Sequence, residues 1–291
     1  MGSSPKPKDC EGPHFRCSWH ETPPLQVLPH TTWAVVKNGG GGDIGSAGSL
    51  VQHYNKAKNE HSVDDAIAVI ENYWDANVVT QLIEVLNEPL RRNIPLIVVF
   101  PTPKFQDTGA GAIDGKFITN ALPGVLADYI ALNFSATVET GITQKARPGK
   151  TSLNGIQRFL YQPKFIGAVR SDAMYILVDD AYTHGGTLAT LRSHIVENGG
   201  TVAAVCVLCN KTGKPVSFPV TDEQVTEIKS FYGSDVGEFW KEQVGHHVTL
   251  LTHNEALFLE DWAKARFRER VKPPLLQRLR ARFDSARATG K

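Results

Sequence analysis

An α/β fold built on a largely parallel sheet is predicted by three features of the sequence. Short, continuous, β-branched runs such as IPLIVVFP (94–101) and MYILV (174–178) read as strands buried on both faces. Segments with helical spacing follow them. Strand and helix then keep alternating to residue 208, the pattern of parallel strands joined by crossover helices.

Residues 1–28 are rich in proline and lack periodicity, so they read as an N-terminal tail or a wrapping arm. TTWAVVK (31–37) is β-branched and reads as a strand, NGGGGDIGSAGS (38–49) as a loop, and LVQHYNKAKN (50–59) as a helix. A long helix is expected over 62–93, with Ser62 as its N-cap and acids in its first turn. After the strand at 94–101, NALPGVLADYIALNF (120–134) reads as a helix that tolerates Pro123 near its start. SATVE (135–139) reads as a strand, and TGITQKARPGKTSLNG (140–155) as a long polar loop. Strand MYILV, a helix ending at Gly199 and strand TVAAVCVL (201–208) follow. No internal repeat is visible. The chain divides into the tail at 1–28, an α/β domain at 29–262 and a basic helical extension at 263–291.

A 41% hydrophobic and 21% charged composition fits a globular protein with a sizeable core. The net charge of +1 hides an asymmetry. From Ala263 onward, ten Lys and Arg stand against Glu269 and Asp284, so the rest of the chain is net acidic. No apolar run is long enough to span a bilayer, so no membrane is expected. The first residues, MGSSPKPKDCEGP, lack the apolar core of a secretory signal, and Lys6 breaks the myristoylation pattern. Four cysteines do not suggest a disulfide framework, and a cytoplasmic setting is expected. Cys10, Cys17 and His20, with Cys206 and Cys209, are conceivable zinc ligands. The Cys206/Cys209 pair, however, sits in an apolar β-type run where residues three apart face opposite ways, which favours core cysteines.

The chemistry concentrates where MYILV meets the next helix. Asp179 and Asp180 end the strand, and Thr183, His184, Gly185, Gly186 and Thr187 lead into the helix. In parallel sheets, ligands bind at the carboxyl ends of the strands. The glycines let backbone N–H groups approach a ligand, and a helix N-terminus offers free donors and a positive dipole end, which suits phosphate. Carboxylates a few residues upstream accept from sugar hydroxyls or hold hydrated Mg²⁺. A carboxylate pair beside a phosphate cradle describes a receptor for a ribose 5-phosphate. The plainer alternative is that the acids cap the turn and Gly-Gly tightens it.

YILVDDAYTHGGTL (175–188) resembles the phosphoribosyl-pyrophosphate (PRPP) motif of type I phosphoribosyltransferases, nearest to the amidophosphoribosyltransferase and ComF-like branch. The resemblance covers roughly residues 94–208. It departs at Ala181 and Tyr182, which replace aliphatics, at His184, where a small hydroxyl residue is common, and at Thr183, where some members keep a basic aspartate.

It implies a Rossmann-like phosphoribosyltransferase fold with extra N-terminal segments, and transfer of phosphoribosyl with release of pyrophosphate, a glycosyltransferase activity in nucleotide metabolism. Asp179 and Asp180 would hold the ribose hydroxyls and Mg²⁺, and residues 183–187 the 5-phosphate. Thr102, Pro103 and Lys104 would form a pyrophosphate loop. Lys145, Arg147 and Lys150 would belong to a mobile loop that closes over the leaving group. The ligand would be PRPP or a nucleoside monophosphate, and the assembly a homodimer.

Rival readings stand beside this one. A regulatory protein that senses nucleotides fits the same residues. Gly40-x-Gly42-x-x-Gly45 formally matches a dinucleotide fingerprint, but also a ligand-covering loop or a flexible connection. Ser46 rules out a Walker A lysine. The basic extension pairs Leu275, Leu276, Leu279 and Phe283 at helical spacing, which suits either contact with nucleic acid or a protein, or packing on the body.

Overall fold

The computed structural model describes residues 16–38, 44–103, 120–146, 155–267 and 274–289. Its main sheet has six strands in the order β4-β2-β7-β8-β1-β9: β1 (Gln26–Thr32), β2 (Leu96–Val99), β4 (Thr137–Glu139), β7 (Met174–Tyr182), β8 (Thr201–Asn210) and β9 (Val216–Ser217). All neighbours pair in parallel except β1 with β9. A smaller sheet joins β3 (Thr102–Pro103), β5 (Thr143–Ala146) and β6 (Lys164–Ile166). The predicted α/β class with a mostly parallel sheet is therefore observed.

Alternation along the central strands separates two cores. Leu96, Val98, Ile176, Val178 and Cys206 pack beneath α2 (Ile44–Asn59), α3 (Val63–Tyr73), α4 (Ala76–Arg91) and α5 (Leu122–Phe134). Ile97, Val99, Leu177, Val205 and Val207 pack beneath α7 (Gly186–Glu197) on the other face. Burying two apolar faces is what the continuous β-branched runs require.

Several elements fall elsewhere than the sequence suggests. The first strand is Gln26–Thr32, inside the stretch read as tail, and Trp33–Asn38 form a helix, α1. Two local facts explain the shift. Thr32 Oγ1 accepts from Val35 N at 3.2 Å, starting a helical turn. Pro29 lies in β1 beyond the two residues that pair with β9, where a missing N–H costs no ladder bond on that side. The glycine-rich segment therefore follows a helix, and the strand context of a dinucleotide fingerprint is absent. Gly40 and Gly42 lie outside the described residues.

The helix expected over 62–93 is two helices. Ser62 caps α3 by accepting from Asp65 N. The chain breaks at Trp74, and Asp75 caps α4 by accepting from Asn77 N at 2.9 Å. The break is held from β1: Asp75 N donates to His30 Nδ1 at 3.0 Å, and the His30 ring stacks on Trp74 with centroids 4.6 Å apart.

Residues 16–25 form the wrapping arm. Cys17 N donates to Ser193 Oγ at 3.0 Å, and buried Arg192 pairs with Glu21 at 2.6 Å while lying over the Trp19 ring. A helical unit, α8 (Asp222–Tyr232), α9 (Val236–Val244), α10 (His253–Phe267) and α11 (Leu275–Thr289), builds a third core with α6 (Gln157–Leu160). Here α10 runs through the boundary placed at 262/263, and Ala263 is fully buried. The stripe on α11 is buried too: Leu279 and Phe283 have no exposed surface, and Phe283 meets Trp240 and Phe239 edge-on. Among the described residues no helix is long and apolar enough to cross a membrane. Cys206 and Cys209 are free and buried, with Cys206 Sγ 3.5 Å from His30 Nε2 and Cys209 Sγ 3.5 Å from the Asp180 carbonyl.

Candidate functional site

The chain leaving β2 runs through α5 to β4, whereas the chain leaving β7 runs through α7 to β8. Connections diverge at the β2/β7 boundary, where parallel sheets open a crevice beyond their carboxyl ends. A cleft of about 660 Å³ lies there. Thr102 lines it after β2, and Asp179, Asp180, Thr183, His184, Gly185, Gly186 and Thr187 line it after β7.

Strand β7 continues four residues past the predicted MYILV, because Ala181 and Tyr182 keep pairing with Cys209 and Asn210. Both acids thus lie within the strand, and its alternation sends their side chains to different sides. Asp180 follows Ile176 and Val178 toward α2. There Lys58 Nζ donates to Asp180 Oδ2 at 2.7 Å and to the Tyr54 hydroxyl at 2.8 Å. Burial is the largest effect and works against the Asp180 carboxylate, but the Lys58 charge together with hydrogen bonding to Lys58, Asp179 and Asn120 outweighs it and holds the carboxyl below its usual range. Burial likewise opposes the Lys58 charge, and Asp180 with Tyr54 reverses that effect. Asp179 Oδ1 accepts from Asp180 N at 2.9 Å.

The loop after β7 turns sharply into α7. Gly185 sits at φ +81°, the left-handed region that favours glycine, and a Cβ there would lie 2.3 Å from the Tyr182 ring. The first helical bond returns from Ala189 N to Gly185 O, so the N–H groups of Gly186, Thr187 and Leu188 precede the ladder. Gly185, at the N-cap position of α7, supplies no side-chain hydrogen bond. These donors and the dipole's positive end make an anion cradle on the cleft wall. His184 also lines the cleft. Its ring packs edge-on against Phe258, with centroids 5.1 Å apart, and burial lowers its pKa, so it meets the cleft as a neutral ring.

Behind the cradle stands a buried polar cluster that the sequence does not announce. Arg16 grips Glu255 through both nitrogens at 2.5 and 2.8 Å and donates to Gln162 Oε1 at 2.8 Å. Thr190 of α7 donates to the same Gln162 oxygen at 2.9 Å. A Cβ on Gly186 would lie 2.8 Å from both Gln162 and Glu255, so the second glycine is needed for close packing. Asn254 Nδ2 donates to Thr183 O at 2.6 Å, and Thr252 Oγ1 to His184 O. The wrapping arm and α10 together fix the loop.

Pro103 pairs with Gln144 between β3 and β5, and Lys145 lies in β5 with its side chain outside the described residues. Lys104, Arg147 and Lys150 also lie outside them. The cleft gains residues the sequence reading did not name, among them Trp33, Tyr54, Lys58, Asn120 and Arg158. One signal was available: Tyr54 and Lys58 stand four apart, on one face of a helix.

No protein-family model matches the chain. Protein TraN of Escherichia coli is 29% identical over 222 residues, covering 76% of this chain and 45% of TraN. An uncharacterized protein of Haemophilus influenzae is 33% identical over 78 residues, covering 27% of this chain and 17% of that protein. The chain thus spans less than half the length of either relative. These findings overturn the resemblance to type I phosphoribosyltransferases and to their amidophosphoribosyltransferase and ComF-like branch. The physical reason is that strand, acids, glycine turn and helix form a general solution for an anion at a β/α switch point. Over most of its length, what the chain is similar to is part of Protein TraN.

Proposed function

We propose that the cleft binds a phosphorylated ribose, as carried by a nucleoside 5′-monophosphate or PRPP. The observation that carries this reading is the meeting of two features in one cavity. The N-terminus of α7, opened by Gly185 and Gly186, faces the space that Asp179 and Asp180 also line. The phosphate fits the cradle at residues 185–187. The sugar hydroxyls fit Asp179 and the Lys58–Asp180 pair. Trp33 and Tyr54 give the rest of the cleft aromatic surface for a base. Such ligands are abundant in cytoplasm, which is the compartment this reading favours.

Calorimetric titration with ribose 5-phosphate, nucleoside 5′-monophosphates and PRPP tests the reading. A Gly185→Ala variant should bind roughly ten- to hundredfold more weakly, because hydrogen bonds to a charged group contribute about 1.5–3 kcal/mol. Unchanged affinity in a folded variant would remove the cradle from the site. Pyrophosphate release from PRPP with nucleobases or amines separates a transferase from a nucleotide sensor.

A further inference from the structure

We propose that Lys58 takes the place of a divalent cation at Asp180, so that the cleft recognises its ligand without magnesium. The inference rests on the phosphorylated-ribose reading of the cleft. A Mg²⁺ ion at Asp179 and Asp180 is what the sequence suggested, and the donor set does not fit it. Mg²⁺ needs near-octahedral oxygen ligands at close range, commonly one or two carboxylates with several waters. Asp180 instead has its Oδ2 atom engaged by an ammonium at 2.7 Å, on a carboxylate with little exposed surface. A cation on that oxygen would face a positive charge at nearly contact distance. Both carboxylates border the cleft, but strand alternation turns their side chains to different sides of β7. Among the described residues, no three His, Cys, Asp or Glu converge as a metal site.

Lys58 is built into its position. Its ammonium bridges Asp180 and the Tyr54 hydroxyl, and it lies 5.7 Å from the Trp33 ring centroid and 5.2 Å from that of Tyr54. The Trp33 ring, the Tyr54 hydroxyl oxygen and a carboxylate therefore favour a cation there. The side chain remains 32% exposed toward the cleft, so the group is reachable by ligand. An ammonium has three donors. With two committed to Asp180 and Tyr54, the third can serve a ligand oxygen, which is the bridging role a metal would otherwise fill.

The experiment has two arms. In the first, Mn²⁺ is titrated into the ligand-free protein and bound ion is read by electron paramagnetic resonance. Wild type is expected to show no Mn²⁺ site that Asp180→Asn abolishes, and such a site in wild type would overturn the proposal. In the second, ribose 5-phosphate is titrated into wild type, Lys58→Ala and Lys58→Arg, with chelator or with Mg²⁺. Wild type should bind equally in both conditions. Lys58→Ala should lose roughly ten- to hundredfold in chelator, and Lys58→Arg should recover part of that loss. Magnesium-dependent binding by wild type, or unaltered binding by folded Lys58→Ala, would overturn the proposal. If ribose 5-phosphate binds nowhere while the Mn²⁺ arm comes out as expected, the ligand reading fails and the replacement of the metal by Lys58 stands.

Discussion

Arg16, from the arm that precedes the first strand, forms a two-pronged ion pair with Glu255 of α10 directly behind Gly186. Each side chain is 1% exposed. Removing one partner strands the other charge in the interior, which costs about 3–5 kcal/mol. Arg16→Ala should therefore lower stability by that order in chemical denaturation. Replacing both residues with apolar side chains of similar volume should recover most of it. An Arg16→Ala protein as stable as wild type would show that the arm is not anchored there.

The pair also bears on the cleft. Because Gln162 links Arg16 to Thr190 on the first turns of α7, a folded Arg16→Lys variant should bind nucleotide more weakly, lysine being unable to reproduce the fork. Titration calorimetry reads this out. Affinity equal to wild type would confine the cluster to stability.

Acid sensitivity should have a component from His30. Burial lowers its pKa from 6.5 to about 4, and Asp75 opposes that only in part. Between those values the unfolded chain binds a proton that the folded protein refuses, so stability is retained above pH 6.5 and is lost as pH falls toward 4. The full loss is on the order of 3 kcal/mol. His30→Gln keeps an acceptor for Asp75 N and should flatten the stability profile across that window. Glu255 contributes at lower pH: burial is the largest effect and opposes its charge, but the Arg16 charge with the hydrogen bonds from Arg16 and Thr252 N and the nearby His246 outweighs it, and the carboxyl sits below its usual range. A wild-type profile flat between pH 6.5 and 4 would contradict the His30 account.

The basic C-terminal helix should behave as part of the body. Phe283 is fully buried between Phe239 and Trp240, so Phe283→Ala should cost about 3–5 kcal/mol. Truncation before Leu275 should lower the melting temperature for the same reason. Arg280 and Arg287 lie at the margin, over the Phe239 ring and against the Gln243 carbonyl. A truncated protein that melts like wild type while losing affinity for nucleic acid at low salt would favour the partner-binding alternative.

The legible parts of the fold were those in which one segment decides its own structure. Runs such as LIVV and MYILV are apolar on both faces and have few options besides a buried parallel strand. The break at Trp74 was illegible because His30, far away in sequence, creates it by accepting from Asp75 N. The first strand was misplaced because Pro29 and His30 weaken its local signal, while β-branched residues at 31–36 mimic one; Thr32 capping tips that stretch into a helix. At the cleft, the Asp and Gly residues stood out by chemistry at a strand end. Lys58, Arg16 and Glu255 did not, since a lysine in a polar helix or an arginine in a tail looks solvated until its partner is placed. The family inference failed for a related reason: the segment that carried it specifies a strand, a glycine turn and a helix start, and nothing wider.

The central claim is that the cleft holds a phosphate on the α7 N-terminus beside a ribose. Calorimetric titration of the intact protein with adenosine 5′-monophosphate and with adenosine, side by side, tests it most directly. The account predicts that the monophosphate binds and that adenosine binds at least about tenfold more weakly, because the cradle is left without its charged partner. Equal affinity for the two, or no binding of any nucleoside monophosphate or of ribose 5-phosphate, would contradict it.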